Sequence, residues 1–203
     1  MTLTNPERDQ ERVEEPAELF RQYGYAMFRQ QRAIYGQIAK RVSGCTVLEA
    51  GCGNGLGSAM LDRNAVRLVA TDKLEKNVLF AGELYPWLDL RVWDMTTPCP
   101  WGTFHTVVCV EAIEHVADPL AAMRNLVNAA NQQVFISTPN GAGKPRPPSN
   151  PWHVAEYAPT EMIQIIRTVK FDCAIHVLGW EDFQPVSPNT TYVSPLMYRI
   201  QLP

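Results

Sequence analysis

The feature that most constrains this chain is a repeated alternation of apolar runs with helical stretches. It opens on Val47-Leu48-Glu49-Ala50 and a turn, Gly51-Cys52-Gly53-Asn54-Gly55, that leads into a helix. Apolar runs cover 46–50, 67–71, 89–93, 105–110 and 132–137, and helical stretches at 55–63, 73–84 and from Asp118-Pro119 separate most of them. Strand, helix and strand in this rhythm predict a parallel sheet with helices on both faces, a doubly wound α/β fold. The tail breaks the rhythm. A helix at 159–169 precedes two β-rich runs, 171–178 and 195–202, joined by a Pro/Asn/Thr loop. Without a crossover helix such strands pair antiparallel. The expected sheet has seven strands, mostly parallel, with an antiparallel pair closing its edge.

Ahead of this unit, residues 1–16 are charged and proline-punctuated, which predicts a frayed or loosely docked lead-in. From Ala17 to Val42 the residues Leu19, Phe20, Tyr23, Met27, Ile34, Tyr35 and Ile38 recur at mostly helical spacing, interrupted by Gly24 and Gly36. One or two helices are expected. The chain thus divides into an N-terminal segment, 1–43, and an α/β domain, 44–203. The segment either covers a site as a lid, using Tyr23, Tyr25, Phe28 and Tyr35, or packs against the sheet.

Composition narrows the function classes. In 203 residues, 46% are hydrophobic and 19% charged, enough apolar material for one packed core. The net charge of −3 offers no broad basic footprint for a phosphate backbone, so a nucleic-acid partner is disfavoured. Five cysteines without a C-x-x-C pair argue for reduced thiols rather than a disulfide framework or zinc knuckle. No apolar leader or bilayer-length run is present, so a cytoplasmic address with no membrane partner is expected. Oligomeric state is not encoded in any of these patterns.

Gly51, Gly53 and Gly55 let the backbone turn tightly and approach a ligand, which implies a nucleotide-type guest. The dinucleotide fingerprint G-x-G-x-x-G fails because Leu56 and Ser58 stand where its third glycine belongs. The Gly-Lys-Ser/Thr phosphate loop is absent as well.

The segment Glu49-Ala50-Gly51-Cys52-Gly53-Asn54-Gly55 resembles the first motif, acidic-x-Gly-x-Gly-x-Gly, of the Rossmann-like (class I) S-adenosylmethionine-dependent methyltransferases. The resemblance covers about residues 44–202 and implies S-adenosyl-L-methionine as cofactor. It assigns Asp72, after Val69-Ala70-Thr71, to the ribose hydroxyls, with Lys73 beside it. Asp94, in Val92-Trp93-Asp94-Met95, is assigned to the adenine amino group, with Trp93 or Met95 over the ring. Glu49 is placed near the methionine end, where its charge favours the ammonium directly or through water. Gly51, Cys52, Gly53, Gly55 and Glu111 complete the implied cofactor set. One departure is His105, where many relatives enter the fourth strand with aspartate; a local effect is expected.

After the fourth strand, Glu111-Ala112-Ile113-Glu114-His115 replaces the Asn/Asp-Pro-Pro-Tyr/Phe segment of base-amine methyltransferases. It resembles the Glu-x-x-Glu-His segment of the ubiquinone-pathway O-methyltransferases and of the small-RNA 3′-end ribose methyltransferases. There the two carboxylates, the histidine and a later histidine gather a divalent metal beside the acceptor hydroxyl. A helical turn would put Glu111, Glu114 and His115 on one face. Ser149-Asn150-Pro151-Trp152-His153-Val154-Ala155-Glu156-Tyr157 resembles the segment with the later histidine, so His153 is the fourth candidate. The resulting set, Glu111, Glu114, His115 and His153, suits Mg²⁺, Mn²⁺, Fe²⁺ or Zn²⁺. The same four residues are the catalytic candidates, since without a metal His115 or His153 can act as general base. Alternatively Glu114 and His115 cap the next helix or pair together, and His153 packs under its loop beside Trp152.

Trp93, Trp101, Trp152, Tyr157 and Trp180 fall near strand ends or in loops, where an acceptor binds in such sheets, although core packing is the commoner fate of an aromatic. Lys144 and Arg146 give the proline-rich loop 139–151 a positive charge that either meets an anionic acceptor or is simply solvated. The expected activity is methyl transfer to an oxygen of a small-molecule or sugar-like acceptor, with possible divalent-metal assistance. Two alternatives stand beside it: a 2′-O-methyltransferase for RNA ends, and a catalytically inactive partner that binds S-adenosylmethionine.

Overall fold

The computed structural model describes residues 16–191 and 193–203, with side chains from Phe28 onward. The lead-in at 1–15 and the side chains of Tyr23 and Tyr25 lie outside the described residues. A helix, α1 (Pro16–Ala39), precedes β1 (Thr46–Ala50), α2 (Leu56–Asp62), β2 (Arg67–Asp72), α3 (Glu75–Leu84) and β3 (Leu90–Val92). The chain continues through β4 (Phe104–Val110), a single 3₁₀ turn (Ile113–His115), α4 (Pro119–Asn128) and β5 (Ala130–Thr138). It ends with α5 (Pro159–Val169), β6 (Ala174–Gly179) and β7 (Leu196–Gln201).

The seven strands form one sheet in the order β3-β2-β1-β4-β5-β7-β6. β1 pairs in parallel with β2 and β4, whereas β7 lies antiparallel between β5 and β6. The expected fold class is therefore the observed one. The helix α1 runs unbroken through both Gly24 and Gly36, and around Gly36 the packing of Ile34, Tyr35 and Ile38 outweighs the roughly 1 kcal/mol that an interior glycine costs.

Side-chain alternation along the strands explains both layers of core. Leu48, Val107, Val134 and Ile136 face one side, where Met123 and Leu126 of α4 and Met162 and Ile166 of α5 cover them. Val47, Val108 and Phe135 face the other, packed with Ile34 and Ile38 of α1 and Leu61 of α2. Full burial of Ile34 and Ile38 contributes about 3–6 kcal/mol as an upper estimate. That contribution anchors the second half of α1 to the sheet. Asp118 caps α4 by accepting from the Ala121 amide, so capping does not fall to Glu114 or His115.

Strand order reverses on either side of β1, and the loops after β1 and β4 diverge there. In open α/β sheets the crevice at such a point, beyond the carboxyl ends of the strands, is the usual place for a ligand. No helix among the described residues is long and apolar enough to cross a membrane.

Candidate functional site

A cavity of about 320 Å³ opens at this crevice, a size suited to a small molecule. Gly51, Cys52 and Gly53 after β1 form part of its wall, with Asp72, Lys73, Leu74 and Asn77 on one flank. Met95, Glu111, Ala112, His115, Trp152 and Val154 line it elsewhere, and Gln31, Arg32 and Tyr35 of α1 close another side.

The turn is held by the neighbouring strand: the Gly51 and Cys52 amides both donate to the Thr71 carbonyl at 2.8 Å. Gly51 has φ 81°, and a Cβ there would stand 2.5 Å from the Ala112 Cβ. Backbone conformation and close approach therefore both demand glycine at this position. Asp72 Oδ2 accepts from the Gly53 amide at 2.9 Å, while Oδ1 accepts from the Leu74 amide and the Asn77 side chain. Thus Asp72 shapes the turn as well as facing the cavity.

Three residues assigned to the cofactor by resemblance do not line the cavity. Glu49 is fully buried behind the wall, where Oε1 accepts a 2.6 Å hydrogen bond from the Tyr35 hydroxyl. Burial pushes its carboxyl above the ordinary value. Gly55 faces Ala81 and Tyr85 rather than open space. Asp94 accepts from the Thr96 amide and hydroxyl and lies 3.6 Å from Lys73 Nζ. Partial burial acts to raise the Asp94 carboxyl, but those donors and Lys73 outweigh it and hold the group low. Met95, rather than buried Trp93, reaches the cavity; Trp93 packs edge-on against Trp101.

At the other end the chain departs from the expected helical turn. Glu111 has φ 50°, and the 3₁₀ turn begins only at Ile113. In consequence Glu114, His115 and His153 bring one ligand atom each within 4.8 Å of one another, and Glu111 stands outside that group. Glu111 instead accepts a hydrogen bond from Ser137, and Glu114 Oε2 accepts from Thr138 at 3.1 Å. Burial raises both carboxyls, and the Glu114 charge raises Glu111 further. Ser137 and Thr138 escaped the sequence reading; the only signal was a pair of hydroxyl residues ending an otherwise apolar strand.

The histidines are held by distinct partners. His115 Nδ1 lies 2.9 Å from the Trp152 carbonyl oxygen, which can only accept, so in the neutral ring Nε2 keeps the lone pair. Asn150 Oδ1 accepts from the Trp152 amide, which orients Asn150 Nδ2 to donate to His153 Nε2 at 2.9 Å. His153 Nδ1 donates to Glu156, whose other oxygen pairs with Lys144 Nζ at 2.6 Å. Arg146 pairs with Glu161. Both basic residues of the 139–151 loop are thus engaged with carboxylates, a fate that neither sequence reading anticipated. The histidine rings meet edge-on, 4.9 Å between centroids.

Of the other aromatics, Trp152 lines the cavity, Tyr157 is buried in the first core layer and Trp180 packs against the second. The His105 amide donates to the Thr46 hydroxyl of β1 and its ring Nδ1 lies 2.9 Å from the Thr106 hydroxyl, and His105 does not line the cavity.

Comparison with known proteins places this geometry. The N-methyltransferase NodS of Bradyrhizobium japonicum, solved with S-adenosyl-L-homocysteine, superposes with a TM-score of 0.69 over 98% of this chain and 97% of that one, at 15% identity. The chain has a methyltransferase fold. The family model described as a methyltransferase domain matches residues 48–135, from within β1 into β5. A probable S-adenosylmethionine-dependent methyltransferase of Mycolicibacterium smegmatis is 31% identical over 152 residues, 71% of this chain and 59% of the relative. A ubiquinone biosynthesis O-methyltransferase of Xanthomonas euvesicatoria is 33% identical over 118 residues, 54% of this chain and 49% of the relative. The chain therefore spans about half to three fifths of the length of these curated relatives.

Proposed function

We propose that the chain is an S-adenosylmethionine-dependent methyltransferase acting on an oxygen of a small-molecule or sugar-like acceptor. The observation that carries this reading is one cavity bounded on one flank by the Gly51–Gly53 turn with Asp72 and lined elsewhere by Glu111, His115 and Trp152. The glycine cradle and a carboxylate at the end of β2 suit an adenosine-bearing guest, and the match to the Mycolicibacterium relative supports the same cofactor. The match to the Xanthomonas O-methyltransferase favours oxygen as the acceptor atom.

When bound, the cofactor supplies a methyl group on a sulfonium. The new bond is oxygen to methyl, the broken bond is sulfur to methyl, and the acceptor proton must leave. Asp72 would orient the ribose, Met95 would cover the adenine, and Glu111 would take or relay the proton at the cavity wall. Ser137 holds Glu111 in place for that role, and Trp152 shapes the acceptor end.

The donor chemistry of Glu114, His115 and His153 also fits a divalent ion, with one carboxylate and two imidazoles drawn together. Such an ion would lower the pKa of the acceptor hydroxyl. Its partners would be Glu114, the Nε2 of His115, and His153 once its ring nitrogen exchanges the Asn150 amide for the ion. Glu156, bonded to His153 Nδ1, supplies the outer support that ligating histidines usually have.

The test is methyl transfer from labelled S-adenosylmethionine to a panel of catechol, phenol and sugar acceptors, before and after exhaustive chelation. Labelled O-methyl product is expected, with turnover falling at least about tenfold on chelation and returning on adding Mn²⁺ or Mg²⁺. Label appearing only on nitrogen would overturn the oxygen assignment, and turnover indifferent to chelation would remove the ion from the account.

A further inference from the structure

We propose that Asn150 sets how tightly Glu114, His115 and His153 take a divalent ion: its side-chain amide competes with the ion for the lone pair on His153 Nε2. The proposal rests on the ion reading above and adds a positioning residue that regulates the same cluster.

Partners on both sides fix which atoms face each other. The Trp152 amide can only donate, so the Asn150 atom 3.0 Å from it is Oδ1, and the atom left facing His153 is the donor Nδ2. At the ring, the ionised Glu156 carboxylate 2.8 Å from Nδ1 can only accept, so Nδ1 carries the proton and Nε2 the lone pair. Asn150 Nδ2 therefore donates into that lone pair at 2.9 Å. An imidazole nitrogen has a single lone pair, and it serves either a hydrogen-bond donor or a metal ion.

The local backbone keeps the competitor beside the ring. The His153 amide donates to the Asn150 carbonyl at 3.2 Å, closing residues 150–153 into a turn, and the Val154 and Ala155 amides tie the next residues to the Glu114 carbonyl. The same turn thus holds Asn150 against His153 and sets His153 beside Glu114 and His115. Among the described residues, the Asn150 side chain bonds His153 alone of the three candidate ligands. Asn150 then has two effects of opposite sign. Through Oδ1 and its carbonyl it orders the turn that presents the ring, and through Nδ2 it opposes the ion by one hydrogen bond. A purely structural role predicts that any substitution weakens ion binding; a competing role predicts that removing the donor alone strengthens it.

Asn150→Ser separates the two effects, because a serine hydroxyl accepts from the amide two residues on but is too short to reach the ring. Titration with Mn²⁺ followed by electron paramagnetic resonance is expected to show affinity about threefold to tenfold tighter in Asn150→Ser than in wild type, the equivalent of one neutral hydrogen bond. In a His153→Ala background the same substitution is expected to change nothing, since the competitor acts only through that ring. Calorimetric affinity for S-adenosylhomocysteine is expected to be equal in wild type and Asn150→Ser, which reports an intact fold. A second readout uses wild type alone: on adding Zn²⁺, the Asn150 side-chain amide protons are expected to exchange with water faster as they lose their acceptor. Mn²⁺ affinity that is unchanged or weaker in Asn150→Ser, tightening that persists without His153, or unaltered amide exchange with Zn²⁺ bound would overturn the proposal. Wild type and Asn150→Ser that both fail to bind either ion would instead overturn the ion reading itself, and this proposal with it.

Discussion

Glu49 shows how far a single residue's role depends on what packs over it. Its place before the glycine turn was legible in the sequence; its enclosure by Tyr35 was not, because the partner arrives from a helix fourteen positions earlier. Burial raises the folded-state pKa of Glu49 above its unfolded value, so the native state prefers the protonated form. The contribution is fully present below the unfolded pKa, near 4.3, and is lost as pH rises through the folded value. Chemical denaturation between about pH 5 and pH 8 is therefore expected to show a shallower loss of stability with rising pH in Glu49→Gln than in wild type. An identical slope in the two proteins would contradict the assignment. Glu111 makes a similar point about legibility. Its spacing from Glu114 and His115 suggested one helical turn, but φ 50° at Glu111 starts the segment with a left-handed residue and turns the side chain toward Ser137. Sequence spacing carries no signal for a single reversed dihedral.

At the scale of elements, the contact between α1 and α2 ties the N-terminal segment to the site. Gly57 sits in a regular helix, where alanine would ordinarily be preferred by about 1 kcal/mol. Against the Tyr35 ring the added methyl has no room, so Gly57→Ala is expected to destabilise the protein by about 1–3 kcal/mol in thermal or urea unfolding. In a Tyr35→Ala background the ring is gone and the same substitution should be neutral or stabilising. Equal losses in both backgrounds would mean that the two elements do not meet as described. The strands of the sheet were legible to within a residue or two because buried parallel strands are nearly uniform apolar runs. Edge strand β3 is shorter than its apolar run, and β6 begins at Ala174 rather than at 171, both at the sheet margin where pairing on one side alone defines the element. The proline-rich loop after β5 was recognisable as a loop. Its internal wiring, from Lys144 through Glu156 to His153, depends on how the loop folds back over the 3₁₀ turn, where the Val154 and Ala155 amides donate to the Glu114 carbonyl.

For the whole molecule, topology does most of the work. Reversal of strand order beside β1 brings together loops after β1, β2 and β4, and so gathers Gly51, Asp72 and Glu111 around one cavity although sixty residues separate the first from the last. The fold was legible because alternation of strand and helix leaves few topologies open. The acceptor was not, since the same sheet supports many chemistries and the residues that select among them lie in loops. The central claim is that this cavity binds S-adenosylmethionine through Asp72, and calorimetric titration addresses it most directly. Wild-type protein is expected to show saturable binding of one cofactor per chain, weakened at least about tenfold by Asp72→Ala in protein that still unfolds cooperatively. No detectable binding to wild type, or equal affinity in the variant, would contradict the account.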